Sequence, residues 1–219
     1  MKLIGLFVLA GSAGAVLGAR YLAGPAGSIL PEGGTHGAWY ASRAAGLASY
    51  LCLWLSLVGG LMMSSAWFDG IIGRAKLLAI HQTSAITGVC LGLAHGLVLI
   101  PDQWTHFGFR DILVPFASYY KTSLAGLGTV SLYMFAIVTF SFWLRNQIGT
   151  QMWKRIHYAS FIAYLAALYH GVEIGTDSKT PIVMGLYLVT SMTIVTGFVV
   201  RMTYTRPVRR KATAPAATA

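Results

Sequence analysis

Apolar residues fall in six long runs, 3–23, 39–63, 76–100, 123–144, 152–172 and 181–201, separated by short gaps rich in Gly, Pro and charge. A hydrocarbon core about 30 Å thick takes about 20 apolar residues as helix, and each run meets that length. The pattern predicts an all-α polytopic membrane protein with six transmembrane helices over residues 1–204. The gaps hold the helix breakers: Gly24-Pro25, Pro31 with Gly33-Gly34, Pro101-Asp102 and Asp177-Ser178. Thr180 before Pro181 reads as the N-cap and first position of the last helix. The first run could instead be a signal peptide, with Met1-Lys2, an apolar stretch and then small residues. Its length favours a retained helix. Gly11, Gly14, Ala15 and Gly18 then supply the small-residue spacing that lets membrane helices approach closely.

Composition agrees. Of the 219 residues, 56% are hydrophobic and only 10% charged, well below the quarter expected of a soluble domain. The net charge of +10 raises the possibility of nucleic acid, but the cations lie in the gaps between apolar runs, so nucleic acid is not expected. On one side of the predicted bundle are Lys2, Arg74, Lys76, Arg145, Lys154, Arg155, Arg201, Arg206, Arg209, Arg210 and Lys211, with the single acid Asp69. On the other are Arg20, Arg43, Arg110, Lys121 and Lys179, with Glu32, Asp102, Asp111, Glu173 and Asp177. The positive-inside bias predicts that both termini are cytoplasmic. Trp39, Trp67, Trp104, Trp143 and Trp153 fall near run ends, as interfacial anchors do. The tail 205–219 is basic and then rich in Ala, Thr and Pro, and reads as disordered near anionic lipid. Cys52 and Cys90 lie inside apolar runs in no metal-type spacing and read as packing residues.

Histidine changes the picture. His36 and His106 fall in gaps on the outer side, but His81 and His95 lie in the third run, and His157 and His170 in the fifth. Ionisable side chains at membrane depth are costly and point to function. Both runs are read from the cytoplasm outward. Fourteen and thirteen residues then span about 21 Å and about 20 Å of helix. His81 and His157 share an inner level, and His95 and His170 an outer one. Two facing imidazoles at one level suit the two axial positions of a six-coordinate haem iron. Zinc would want three or four ligands together, and each level offers two. The angular spacing is less regular: thirteen residues leave His170 roughly 140° around the helix from His157. The fifth helix must bend or bulge, or the two sites must approach it from different sides. Other readings stay open: buried histidines bonded to neighbouring helices, or a haem-free proton relay or transporter.

With the histidines placed, the chain resembles the ferric reductase-like transmembrane domain family. That family includes NADPH oxidases, ferric reductases and the haem-binding membrane subunit of bacterial periplasmic methionine sulfoxide reductase. The resemblance covers Arg43 to Arg201 and rests on HQTSAITGVCLGLAH at 81–95, LVPFASYY at 113–120, WKRIHYASF at 153–161 and HGVEIGTDS at 170–178. It looks most like short bacterial members without a dehydrogenase domain. It implies two b-type haems, and electron flow from the inner to the outer haem and on to an external acceptor. Gly126-x-Gly128 lies in a membrane run and is no dinucleotide fingerprint. The donor is therefore expected to be a quinol or another protein, and whether a flavin is bound stays open. No catalytic residue is expected. Arg43, near the outer end of the second run, needs an anion, which the outer haem's propionates would supply, as the resemblance implies. Lys76, Lys154 and Arg155 read as positive-inside charge that could also meet inner propionates or an acidic donor. Trp153 and Tyr158 could line the inner haem edge. His106, Arg110, Asp111, Tyr119 and Tyr120 mark the longest outer loop as a place for an acceptor or partner. The chain could alternatively be a haem-binding anchor subunit of a larger membrane redox complex.

Overall fold

The structure is a computed structural model that describes residues 37–65, 72–102 and 105–203. The predicted first span, His36, Trp67, Trp104 and the tail 205–219 lie outside the described residues. Those residues form α1 (Gly37–Ser64), α2 (Arg74–Leu97), the short α3 (Phe109–Leu113), α4 (Thr122–Ile148), α5 (Thr150–Ile174), a 3-10 turn (Thr176–Lys179) and α6 (Pro181–Thr203). No strand occurs among them. The five long helices fall on the second to sixth predicted spans.

Four of them, α1, α2, α4 and α6, are long and apolar enough to cross a membrane. The fifth long helix, α5, falls outside this set. Its first turns carry Gln151, Lys154, Arg155 and His157, which dilute its apolar character. The helix ends follow local chemistry. The Thr180 hydroxyl accepts the Val183 N–H at 3.4 Å, so Thr180 caps α6 with Pro181 at its first position. Gly149, at φ +80°, makes the sharp turn between α4 and α5, a conformation that costs glycine little.

The antiparallel pair α1–α2 is held by a ladder of serines. Ser42 Oγ donates to the His95 carbonyl at 2.8 Å, Ser49 Oγ to Gly88 at 2.7 Å and Ser56 Oγ to His81 at 3.0 Å. The rungs recur every seven residues, rising on α1 as they fall on α2. Seven is close to two helical turns, so the three serines stay on one face. Lipid offers no hydrophobic drive between helices, so small residues and interhelical hydrogen bonds do the joining. Gly88 shows how close the helices come: a Cβ there would sit 2.7 Å from Leu53 Cγ and 3.2 Å from the Leu53 nitrogen.

The pair α4–α5 uses the same device, with Ser131 Oγ donating to the carbonyl of the fully buried Ala163 at 2.9 Å. Between the pairs lies a polar knot. Thr190 Oγ1 donates to the Leu186 carbonyl at 2.7 Å, which leaves its oxygen to accept from Tyr50. Tyr50 then accepts from Tyr164; both hydroxyl contacts are 2.7 Å. The chain ties α1, α5 and α6 together, and each hydroxyl proton in it has an acceptor. Large apolar side chains cover the outside of α6, with Ile182 85% and Met192 67% exposed. Such a surface belongs against hydrocarbon rather than water.

Gly88→Val is expected to force Leu53 and the α1 backbone away from α2, costing about 1–3 kcal/mol by overpacking. Ser49→Ala, which removes one rung and adds no bulk, is expected to cost about 0.6 kcal/mol. Thermal unfolding in detergent checks the order.

Candidate functional site

The structure brings the four histidines of α2 and α5 together in two pairs. His81 faces His157 with ring centroids 5.9 Å apart, and His95 faces His170 at 6.2 Å. Each pair joins α2 to α5. The α5 helix is α-helical without interruption from Thr150 to Ile174, so no bulge absorbs the thirteen-residue spacing. The rings leave it on different sides instead. His170 turns onto α4, while His157 lies beside Trp153 of its own helix, with centroids 5.2 Å apart.

Three of the four rings are fixed by the same bond. His81 Nδ1 lies 2.7 Å from the Ser56 carbonyl, His95 Nδ1 2.7 Å from the Ser42 carbonyl and His170 Nδ1 2.7 Å from the Leu124 carbonyl. A carbonyl oxygen can only accept, so each Nδ1 carries the proton and donates. Ser56 and Ser42 add their hydroxyl oxygens at 3.1 and 3.0 Å. With Nδ1 protonated and the imidazole neutral, the lone pair is on Nε2. This is the state in which histidine binds a metal, and a bond from the opposite nitrogen sets both tautomer and ring direction. His157 has no such bond among the described residues.

Glycines make room for the rings. A Cβ on Gly46 would lie 2.8 Å from His95 Nδ1, and one on Gly128 would lie 2.6 Å from His170 Nδ1. Gly59 and Gly60 of α1 stand beside His81 more loosely, with a Cβ contact of 3.4 Å at each. Gly46, Gly59 and Gly60 were not singled out in the sequence, yet a signal was there. Ser-x-x-x-Gly occurs at 42–46 and again at 56–60, and the interval 56 − 42 = 14 equals the histidine interval 95 − 81 = 14.

A cavity of about 230 Å³ opens between His95 and His170. Tyr50 and Tyr187 line it, and Arg43 and Asp177 stand at its margin. Arg43 has an anion within the chain: Nε donates to Asp177 Oδ2 at 2.6 Å, and Nη2 pairs with Oδ1. This ion pair satisfies the requirement that the sequence assigned to a cofactor carboxylate, while leaving Arg43 on the cavity wall. Of the outer-loop residues, Asp111 and Tyr120 also line the cavity, whereas His106 and Arg110 are exposed. Asp111 has a local task, accepting the Gly108 N–H at 2.9 Å. Phe116 of the 113–120 segment has φ 63°, rare for an aromatic residue, and packs where a Cβ on Gly126 would clash.

Two imidazoles at one level are a donor set that a haem iron could take. Among the described residues no group of three or more His, Cys, Asp or Glu side chains converges, as a zinc site would need. Each level instead offers two imidazoles. A metal held between two opposed imidazole nitrogens, with bonds of about 2.0 Å, places the ring centroids about 6 Å apart. Edge-to-face ring contacts cover the same range. The fit therefore rests on the bare Nε2 atoms, on the repeat of the arrangement at two levels and on the small residues around the rings. The ring planes cross at 66° and 83°, which axial ligation allows because each plane need only contain its own bond.

The fold and site define an all-helical protein of membrane type that carries two transverse histidine pairs. No known protein family, curated protein or solved structure matches the chain.

Histidine-selective ¹⁵N NMR is expected to find the proton on Nδ1 of His81, His95 and His170. Gly128→Ala is expected to disturb that signal for His170 alone, because the new methyl group takes the space of its Nδ1.

Proposed function

We propose that this chain holds two b-type haems, one between His81 and His157 and one between His95 and His170, and carries electrons across a bilayer. The observation that carries the reading is the matched second bond: three histidines at two levels spend their Nδ1 proton on a helix carbonyl and keep Nε2 for a metal. Bound there, held by the histidines of each pair, haem would supply one-electron, outer-sphere transfer. The residues of the chain set the conditions for it. Ser42, Ser56 and Leu124 aim the rings, and Gly46 and Gly128 let them lie close to the neighbouring helix. The apolar helices keep water away, and Arg43 stands as a fixed positive charge beside the outer pair.

In this reading the chain is a ferric reductase-like membrane subunit with six spans and both termini cytoplasmic, in a plasma membrane. Its donor is a quinol or a cytoplasmic protein, and its acceptor lies on the His95 side. A role as a haem-binding anchor of a larger redox complex uses the same site. The proton-relay alternative is less well supported, because the buried hydroxyl chain from Tyr164 through Tyr50 and Thr190 ends on the Leu186 carbonyl and reaches neither histidine pair.

The test is haem content and reduced-minus-oxidised spectra of single-site variants. His170→Ala is expected to remove one haem and leave the other low-spin; His81→Ala is expected to do the converse. If either variant stays folded and keeps both haems, the pairing is wrong.

A further inference from the structure

Each end of the bundle keeps one buried polar atom without a partner among the described residues, an acceptor (Asp102 Oδ1) at the His95 end and a donor at the His81 end. At the His95 end, Arg43 is paired with Asp177, and Lys121 donates to the Glu173 carbonyl at 3.0 Å. At the His81 end a buried donor is left over. Trp153 Nε1 is buried and has no hydrogen-bond partner among the described residues. A buried N–H without an acceptor costs about 1–3 kcal/mol, so native structures rarely keep one without a reason.

Its surroundings indicate what the acceptor is. Trp153 is one turn before His157 and packs beside its ring, about 6 Å nearer the helix start. The Arg145 guanidinium lies over the Trp153 ring, 5.6 Å from its centroid. Lys154 and Arg155 follow it in sequence. All four described carboxylates, Asp102, Asp111, Glu173 and Asp177, belong to the other end. Arg43–Asp177 is the ion pair found among the described residues, so the cations around Trp153 have no carboxylate from these residues. An orphan donor whose described charged neighbours are Arg145, Lys154 and Arg155 calls for an anionic oxygen, which favours a carboxylate over a neutral quinone carbonyl.

We propose that the Trp153 indole N–H is the hydrogen-bond donor to a carboxylate of the cofactor held by His81 and His157, with Arg145 as its countercharge. The proposal rests on the two-haem reading above. Trp153 is then a positioning residue: it fixes the orientation of the cofactor through its acid group and bonds to no metal.

The experiment uses the full-length protein, purified with its haem in a His170→Ala background, so that only the inner site is filled. Transfer of haem to a soluble scavenger protein is timed with and without Trp153→Phe, which keeps an aromatic ring and removes the N–H. Both measurements are repeated after exchange of the haem for its dimethyl ester, in which the carboxylates are blocked. Loss of the free-acid haem is expected to quicken about tenfold or more with Trp153→Phe, and loss of the ester to change less than about twofold. Equal quickening of both forms would assign Trp153 to ring packing and overturn the proposal. Unchanged kinetics would overturn it as well, and a concurrent loss of co-purified anionic lipid would then identify the headgroup as the partner. A wild-type protein without haem would refute the two-haem reading itself, before Trp153 comes into question.

Discussion

The hydrogen bond from a histidine Nδ1 to a main-chain carbonyl of the neighbouring helix is the interaction on which the rest of this structure depends. A helix interior has no spare carbonyls, since each already accepts from four residues on. Ser42, Ser56 and Leu124 use the second lone pair, and only a ring brought against the backbone can reach it. That approach needs glycine or serine at the contact, which explains Gly46 beside His95 and Gly128 beside His170. It also needs the helices to be close along their whole length, which the serine ladder at 42, 49 and 56 provides. The packing of α1 on α2 and the direction of the histidine lone pairs are therefore one design. The serines that join the helices at the two histidine levels are also the residues that hold the rings.

The two levels are not equivalent. At the outer level both rings are tied to carbonyls, a cavity opens between them, and the nearby arginine is paired with Asp177. At the inner level one ring is tied, and the other leans on a tryptophan whose N–H has no partner among the described residues. The His95 end has its arginine paired within the chain and keeps one buried carboxylate oxygen, Asp102 Oδ1, without a partner among the described residues. The inner end has bonds left to give to whatever binds there.

Much of this was legible in the sequence. Five of the six apolar runs correspond to helices whose ends agree to within a few residues, because run length and Gly/Pro punctuation are local signals. The histidine pairing followed from helical rise alone, since α2 and α5 both keep it over thirteen or fourteen residues. What the sequence did not disclose was set by packing between helices. The Ser-x-x-x-Gly repeat was visible but had no assigned meaning until α1 was seen against α2. The angular mismatch on α5 had no local solution, because it is resolved by a glycine on a different helix, Gly128. Arg43 was read as lacking an anion because Asp177 is 134 residues away in the chain and adjacent only in the fold. Charge dilution in α5 by Lys154, Arg155 and His157 also sets it apart from the four helices of clear membrane character.

The most direct test of the account is the haem stoichiometry of the purified wild-type protein, by pyridine haemochrome assay alongside dithionite-reduced-minus-oxidised spectra. The account predicts about two b haems per chain, with the sharp bands of low-spin iron ligated by two imidazoles. A well-folded preparation without haem would contradict it and leave the histidines as helix-joining groups alone.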